Sequence, residues 1–412
     1  MMAVKTLKNI NPKNKRVIVR VDYNVPLKDG KITNNKRIEA SLPTLKYLLD
    51  HGAAIILLSH LGRVEKLEDI TSNKKSLAPV FAELKRLLPK VNVKFCKSST
   101  GSLVDNAVKE LKPGEILLLE NTRYNDVDEK GNVTNRESKC DNSLGKYWAS
   151  LGQVFVNDAF GTAHRKAASN YGIAKNIEES CIGYLIQLEL ENLDRIVQKP
   201  EKPVVAILGG SKVSDKLAII KNLLKVADKI LICGGMANTF LTAKGFNLGN
   251  SLVETSMIDT AKEILASDKR KKIVLPVDFL CAKEFKNEPK IKPIERQIGD
   301  NFAGLMALDV GTKTIADFQK QLTGAKTIFW NGPAGVFEFD HFQHGTKAIC
   351  EILKKLTKNG SYTLIGGGDS AAAALNLGFK ESDFSFISTG GGASLEYIEG
   401  KDLPGVSSIQ KR

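Results

Sequence analysis

The sequence predicts an α/β protein: two doubly wound, parallel-sheet, three-layer domains joined by a helical hinge. Three observations carry that reading. Short apolar, β-branched-rich runs recur along the whole chain, each followed by loop residues and then a helical pattern, as buried parallel strands do in βα units. The 412 residues exceed what one hydrophobic core usually organises. The runs of the first half end in Arg, His and Asp, whereas those of the second half end in Gly.

In chain order, residues 16–26, 53–60, 93–96, 116–121 and 154–160 read as strands of a first sheet. The amphipathic stretch IEASLPTLKYLLDHG between the first two predicts a helix that ends at His51-Gly52, with glycine as its C-cap. Residues 125–150 are polar before a short helical run and read as a surface excursion. IGYLIQLELENLDRIVQKPEKP then gives one long helical pattern closed by Pro200 and Pro203, the natural connector between domains. Strands recur at about 203–208, 229–233, 272–277, 327–330, 361–365 and 384–388. The expected architecture is Rossmann-like in both halves, and no solenoid-period repeat is present.

Composition narrows the class. The chain is 42% hydrophobic and 26% charged with only 13 prolines, so a disordered or fibrous protein is excluded. MMAVKTLKNINPKNKR lacks an apolar stretch of signal-peptide length, and no later run approaches a bilayer span, so a cytoplasmic protein without membrane attachment is expected. Six dispersed cysteines without a CxxC predict free, buried thiols. The formal charge of +14 fits either nucleic acid or an anionic small molecule, and composition does not choose between them.

In open α/β sheets ligands bind beyond the carboxyl ends of the strands. Asp22, Asn24, Arg37, His60, Arg63, Arg123, His164 and Arg165 come from five places in the first half, mostly at strand ends. Guanidinium forks bind phosphate or carboxylate bidentately, so their convergence would make an anion pocket. Asp22 and Asn24 flank Tyr23 and would share a face in an extended segment, suited to a substrate hydroxyl.

The second half offers GGSKVSDK, where Lys212 and Lys216 are four apart and would point the same way on a helix start. GGGDS at 366–370 predicts a helix N-terminus at Asp369, where N–H groups can take phosphate oxygens while the carboxylate would hold Mg²⁺. TGGGA at 389–393 offers a second such terminus for a phosphoryl group in flight. With NGPAGVFE and its Glu338, these motifs favour a nucleoside triphosphate site. GxxxxGK[ST] and the protein-kinase HRD and DFG sets are absent, so neither of those folds is expected. A dinucleotide dehydrogenase lacks its GxGxxG fingerprint, and two Trp with scattered Tyr give no stacking row for nucleic acid.

Taken in order, RVDYNVP, SHLGR, LLENTR, VNDAFGTAHR, GGSKVSDK, GGMANTFL, WNGPAGVFEF, GGGDS and STGGGASLEYIEGKDLPGV resemble the phosphoglycerate kinase family over essentially the whole chain. The resemblance implies a glycolytic phosphotransferase with a carboxyl group as acceptor. Such an enzyme moves a phosphoryl group reversibly between 1,3-bisphosphoglycerate and MgADP, giving 3-phosphoglycerate and MgATP, by in-line transfer after hinge-bending closure. It implies a monomer that uses these small molecules and Mg²⁺, with neither nucleic acid nor membrane as partner. By match to the family's motifs, Asp22, Asn24, Arg37, His60, Arg63, Arg123 and Arg165 would bind the glycerate. Lys216, Ala307, Asn331, Pro333, Glu338, Gly367, Gly368, Asp369 and Ser370 would bind nucleotide, with Glu338 on the ribose, Asn331 and Pro333 on the adenosine side and Asp369 at the metal. Arg37, Lys212, Lys216 and Gly390 to Gly392, with Gly391 and Gly392 central, would meet the transferring group. The implied domains are 1–183 for the glycerate, a helix at 184–199, and 200–392 for nucleotide, with 393–412 packing back on the first. The chain departs from the family pattern at Lys166-Ala167, where a second histidine is common, at Ala307, where glycine is common, and mildly at Ser211 and Ser370.

Overall fold

The computed structural model describes residues 4–411. They form two compact units. One holds everything described up to Leu190 and from Asp402 onward, the other Glu191–Lys401.

The strands are β1 (Arg16–Val21), β2 (Leu27–Lys28), β3 (Lys31–Ile32), β4 (Ala54–Leu58), β5 (Val93–Cys96), β6 (Ile116–Leu119), β7 (Val154–Asp158), β8 (Glu179–Ile182), β9 (Val204–Leu208), β10 (Lys229–Ile232), β11 (Ile273–Val274), β12 (Asp278–Ala282), β13 (Ile294–Gln297), β14 (Met306–Val310), β15 (Thr327–Asn331), β16 (Tyr362–Ile365) and β17 (Phe386–Ile387). The α-helices are α1 (Lys36–Asp50), α2 (Glu68–Thr71), α3 (Ala78–Leu87), α4 (Ser102–Lys109), α5 (Asn142–Ser150), α6 (Ile173–Lys175), α7 (Tyr184–Val197), α8 (Leu217–Val226), α9 (Gly234–Ala243), α10 (Ile258–Ser267), α11 (Thr312–Leu322), α12 (His344–Lys358), α13 (Gly368–Asn376), α14 (Gly392–Ile398) and α15 (Pro404–Ser407).

In the first unit a six-stranded parallel sheet runs β5-β6-β4-β1-β7-β8. The chain winds outward from β1 on one side and then returns to β7 on the other. The strand order therefore reverses between β1 and β7, which opens a crevice beyond their carboxyl ends. Val17, Ile18 and Val19 of the central strand are fully buried, so both faces of the sheet are covered by helices. Each such side chain contributes roughly 1.5–3 kcal/mol. α1 ends as expected, with Gly52 at φ +75° donating its N–H to Leu49 O at 2.9 Å.

The second unit repeats the plan with the order β11-β10-β9-β15-β16-β17, all parallel, and its switch point lies between β9 and β15. Here glycine is a packing requirement. Gly209 N–H donates to Asn331 O at 2.9 Å, and a Cβ on Gly209 would overlap the carbonyl oxygens of Gly332 and Pro333. Gly332, at φ +95°, would in turn overlap Gly209 O. The two strand ends can lie this close only without side chains.

Several expectations need correction. The strand expected over 16–26 stops at Val21, because Tyr23 N–H turns to Ser59 Oγ (2.9 Å) and residues 27–32 form a separate hairpin around Asp29-Gly30. The strands expected at 272–277 and 384–388 shrink to two residues each. The second unit also carries an antiparallel sheet, β13-β12-β14, that the sequence did not reveal, since β13 (IERQ) has no apolar run. Residues 125–150 are no mere surface excursion. Asp126 and Glu137 are buried there, with Asp126 Oδ1 accepting N–H from Glu137 at 2.8 Å and Ser138 at 3.0 Å. All six cysteines are free, five of them buried and Cys140 half-buried. Among the described residues no helix is long and apolar enough to cross a membrane.

Candidate functional sites

On the first unit, the carboxyl ends of the parallel strands deliver basic side chains to one cavity of about 370 Å³. His60, Arg63, Arg123 and Arg165 line it, together with Arg20, which the sequence reading missed. Arg20 sits inside β1 on the face of Ile18, two residues before Asp22, so strand parity was the signal that could have found it. The loop after β6 is built by Asn121. Its Oδ1 accepts N–H from Leu61 and Arg123 at 3.1 Å, and its Nδ2 donates to Leu61 O and Lys75 O. Arg123 donates to Gly62 O at 2.6 Å.

Asp22, Asn24 and Arg37 do not line that cavity but are tied to it. Asn24 Oδ1 accepts from Gly62 N at 2.9 Å, beside His60 and Arg63, and Asp22 Oδ2 pairs with Arg37 at 2.9 Å. Arg37 stays 42% exposed, free to reach a ligand. Gly161 makes the approach possible, since a Cβ there would press on Asp22 Oδ2. Arg165 donates to His164 Nε2 at 3.1 Å. Burial first, and then the charges of Arg20, Arg123, Arg37 and Arg165, hold His60 well below the usual imidazole range, so it is neutral. Burial likewise lowers Arg123, with Arg165 and Arg63 adding to the effect against Glu137 and Asp126. Four arginines outnumber the three carboxylates, Glu65, Asp126 and Glu137, that line the same cavity, so its net charge suits an anion.

On the second unit a cavity of about 530 Å³ lies beyond the ends of β9, β10 and β15. Gly210, Ser211, Gly234, Gly235, Ala307, Pro333, Glu338 and Asp369 line it, backed by Leu252, Met306 and Val336. Such a slot suits a flat apolar base beside a polar sugar and phosphate path. Ala307 N–H is already committed to Ser251 Oγ at 2.8 Å. Asp309 also lines it and was not anticipated. Burial pushes its carboxyl up to about 7 although Gly345 and Val310 N–H donate to it.

Lys216 and Asn331 lie beside this cavity and do not line it. The Lys216 ammonium donates to Asn331 Oδ1, and Asn331 Nδ2 donates to Gly366 O at 2.6 Å. Burial lowers Lys216, against the pull of Asp215, Asp369 and Glu399. Gly367, at φ +91°, caps α13, whose first turn carries Gly368, Asp369 and Ser370; Ser370 Oγ accepts from Gly332 N at 2.6 Å. Gly391, at φ +52°, precedes Gly392 at the start of α14. Lys212 is exposed near Glu254. The shared helix face expected for Lys212 and Lys216 is not formed, because the α-helix begins only at Leu217.

Asp369 is a single accessible carboxylate at a phosphate-competent helix start. That donor set fits Mg²⁺, which takes one or two carboxylates and completes its shell with phosphate oxygens and water. Among the described residues no group of three or more His, Cys, Asp or Glu could hold a metal by itself.

Comparison with known proteins identifies the family and the fold. The family model described as phosphoglycerate kinase matches residues 7–401. The chain is 54% identical to the phosphoglycerate kinase of Mycoplasma genitalium and 53% identical to that of Listeria innocua, in each case over 100% of both chains. Its structure is similar to that of phosphoglycerate kinase from Coxiella burnetii, with a TM-score of 0.87 at 38% identity and 98% of each chain covered. The Pyrococcus horikoshii enzyme gives a TM-score of 0.77 at 30% identity, again over 98% of each chain.

Proposed function

The chain belongs to the phosphoglycerate kinase family, and we propose that it passes the acyl phosphate of 1,3-bisphosphoglycerate to MgADP, reversibly, giving 3-phosphoglycerate and MgATP. The observation that carries this reading is the pair of sites: a cation-lined cavity on one unit and a glycine-walled cavity with Asp369 on the other.

In this reading Arg63, Arg123 and Arg165 clamp the glycerate's phosphate and carboxylate, and neutral His60 adds a hydrogen bond without adding charge. Asp22 and Asn24 take the hydroxyl. Pro333 and Ala307 border the base, Glu338 the ribose, and the α13 N-terminus with Lys216 the phosphates. Asp369 would hold Mg²⁺, which neutralises phosphate charge when bound. Arg37, Lys212, Lys216 and the Gly390–Gly392 turn stabilise charge on the moving group.

The reaction asks little else of the protein. A terminal oxygen of the diphosphate forms a bond to phosphorus as the acyl oxygen's bond to it breaks, and no proton is transferred. The leaving carboxylate is already stable, so alignment and charge neutralisation suffice. Direct transfer also requires the two bound substrates to meet with water shut out, so the reading includes hinge-bending closure. We read the protein as a cytoplasmic monomer acting on small molecules.

The test is direct. Folded protein supplied with ADP, Mg²⁺ and 1,3-bisphosphoglycerate should form ATP, and with ATP and 3-phosphoglycerate should form ADP. Absence of both activities in protein that retains its native circular dichroism overturns the assignment.

A further inference from the structure

In the wall of the cation-lined cavity, Arg20 and Glu137, joined through buried Ser169, make a chain of polar groups that none of the roles above uses. Glu137, 2% exposed, accepts the Ser169 N–H on Oε2 at 2.9 Å and the Ser169 hydroxyl on Oε1. Ser169 Oγ accepts Nε–H of Arg20 at 2.7 Å. Arg20, 2% exposed, donates through NH1 to Val21 O and lies with NH2 3.0 Å from His60 Nδ1.

Every proton in this chain can be placed. A guanidinium has donors only, so His60 Nδ1 must accept and its ring proton must sit on Nε2. By the same rule Ser169 Oγ accepts from Arg20, and its own hydrogen therefore goes to the carboxylate of Glu137. Nothing in the chain is ambiguous, because it begins at a group that cannot accept and ends at one that, ionised, cannot donate. Arg20 and Glu137 are buried together, and each relieves the cost of the other: Glu137 raises the tendency of Arg20 to stay charged, and Arg20 with Ser169 opposes the burial that pushes Glu137 up.

We propose that Glu137 and Ser169 are positioning residues which, through Arg20, lock His60 as the Nε2–H tautomer and so present a neutral hydrogen-bond donor to the anion in the cavity. A locked donor is useful there. An unlocked imidazole could offer a lone pair to the anion, which repels, whereas Arg20 occupies Nδ1 and leaves Nε2–H, which has no protein partner among the described residues. The identity of the anion as 3-phosphoglycerate rests on the function proposed above, but the tautomer does not.

The experiment uses the full chain with ¹⁵N-labelled histidine and needs no substrate for its first arm. The His60 ring nitrogens, assigned with a His60→Gln control, should show a protonated Nε2 and an unprotonated Nδ1 at neutral pH. A cationic ring, or a proton on Nδ1, overturns the proposal whatever the substrate is. In the second arm Ser169→Ala cuts the relay with little change in volume, and Ser169→Thr keeps the hydroxyl. Ser169→Ala should let His60 populate both tautomers and raise the KM for 3-phosphoglycerate roughly tenfold, about the loss of one well-formed hydrogen bond. The KM for MgATP should stay within about twofold, and Ser169→Thr should restore the locked ring. Unchanged ring signals in Ser169→Ala also overturn the proposal. Unlocked signals with an unchanged KM leave the lock in place and place the anion elsewhere. Glu137→Gln, isosteric but uncharged, should act like Ser169→Ala. Should it not fold, the Ser169 pair alone decides.

Discussion

At the residue scale the proposed function divides the work between the two candidate sites, and Arg37 and Lys216 are where that division can be tested. Arg37 pairs with Asp22 on the first unit, and Lys216 is held by Asn331 on the second. Arg37→Ala should therefore lower kcat by about a hundredfold or more, as loss of a charge stabiliser does, while the Kd for MgADP stays within about twofold. Lys216→Ala should raise the MgADP Kd about tenfold and lower kcat as well. Calorimetric titration of ADP into both variants distinguishes them, and equal losses of ADP affinity would remove Arg37 from its role. Asp22, His60, Arg123 and Arg165 were legible in the sequence because each follows an apolar run that could only be a strand. Glu137 and Ser169 were not, because they are 32 residues apart and Glu137 lies in a polar stretch whose burial depends on contacts formed only in the folded state. Arg20 was readable in principle, since a cation within RVIVRVD must find a buried partner.

At the scale of elements, the junction of β7 with α7 carries a buried charge problem. Asp158 ends β7 with Oδ1 accepting from Leu185 N at 2.9 Å in the first turn of α7, while Oδ2 has no partner at hydrogen-bond geometry among the described residues. Gly183 is needed between them, because a Cβ there would overlap the carboxylate. Burial pushes the Asp158 carboxyl up to about 7, against the pull of Thr44 and of the Leu185 and Ile186 N–H groups. The sign is the reverse of the common case for a carboxylate. The unfolded group titrates near 3.8 and the native one near about 7, so between those values the native state binds more protons and stability falls as pH rises. Asp158→Asn, which mimics the neutral acid, should flatten this decline by on the order of 3 kcal/mol between pH 4 and pH 7.5. Urea unfolding at several pH values measures it, and parallel curves for the two proteins would refute it. The helix itself was legible from its 3.6-residue pattern and closing prolines. The antiparallel sheet of β12, β13 and β14 was not, since its edge strand β13 (IERQ) alternates in exposure and carries no apolar run to mark it.

At the scale of the whole molecule, the chain leaves the first unit within α7 and returns to it at Asp402. The long helical pattern closed by Pro200 and Pro203 marks an outward crossing in the sequence, whereas a return is implied only by resemblance, because GKDLPGVSSIQKR has no strong period of its own. Its contribution is nonetheless large. Leu403, Val406 and Ile409 are buried, Gly405 exchanges hydrogen bonds with Ala163 O (2.8 Å) and Asn157 Nδ2 (2.7 Å), and Lys5 N donates to Gln410 O at 2.8 Å. Three buried aliphatic side chains contribute about 5–9 kcal/mol as an upper estimate, comparable with the whole stability of a domain. Ending the chain at Lys401 should therefore unfold or nearly unfold the first unit and leave the second, which is continuous from Glu191 to Lys401, intact. Ligands separate the two outcomes, because a ligand raises the melting temperature only of the unit that binds it. In the shortened protein the transition raised by MgADP should persist near its original temperature, and the one raised by 3-phosphoglycerate should drop by more than 10 °C or vanish, since about 1 kcal/mol already moves Tm by a few degrees in a domain of this size. Loss of the MgADP-sensitive transition instead would mean that the second unit depends on the returning segment, and two unshifted transitions would mean that neither does.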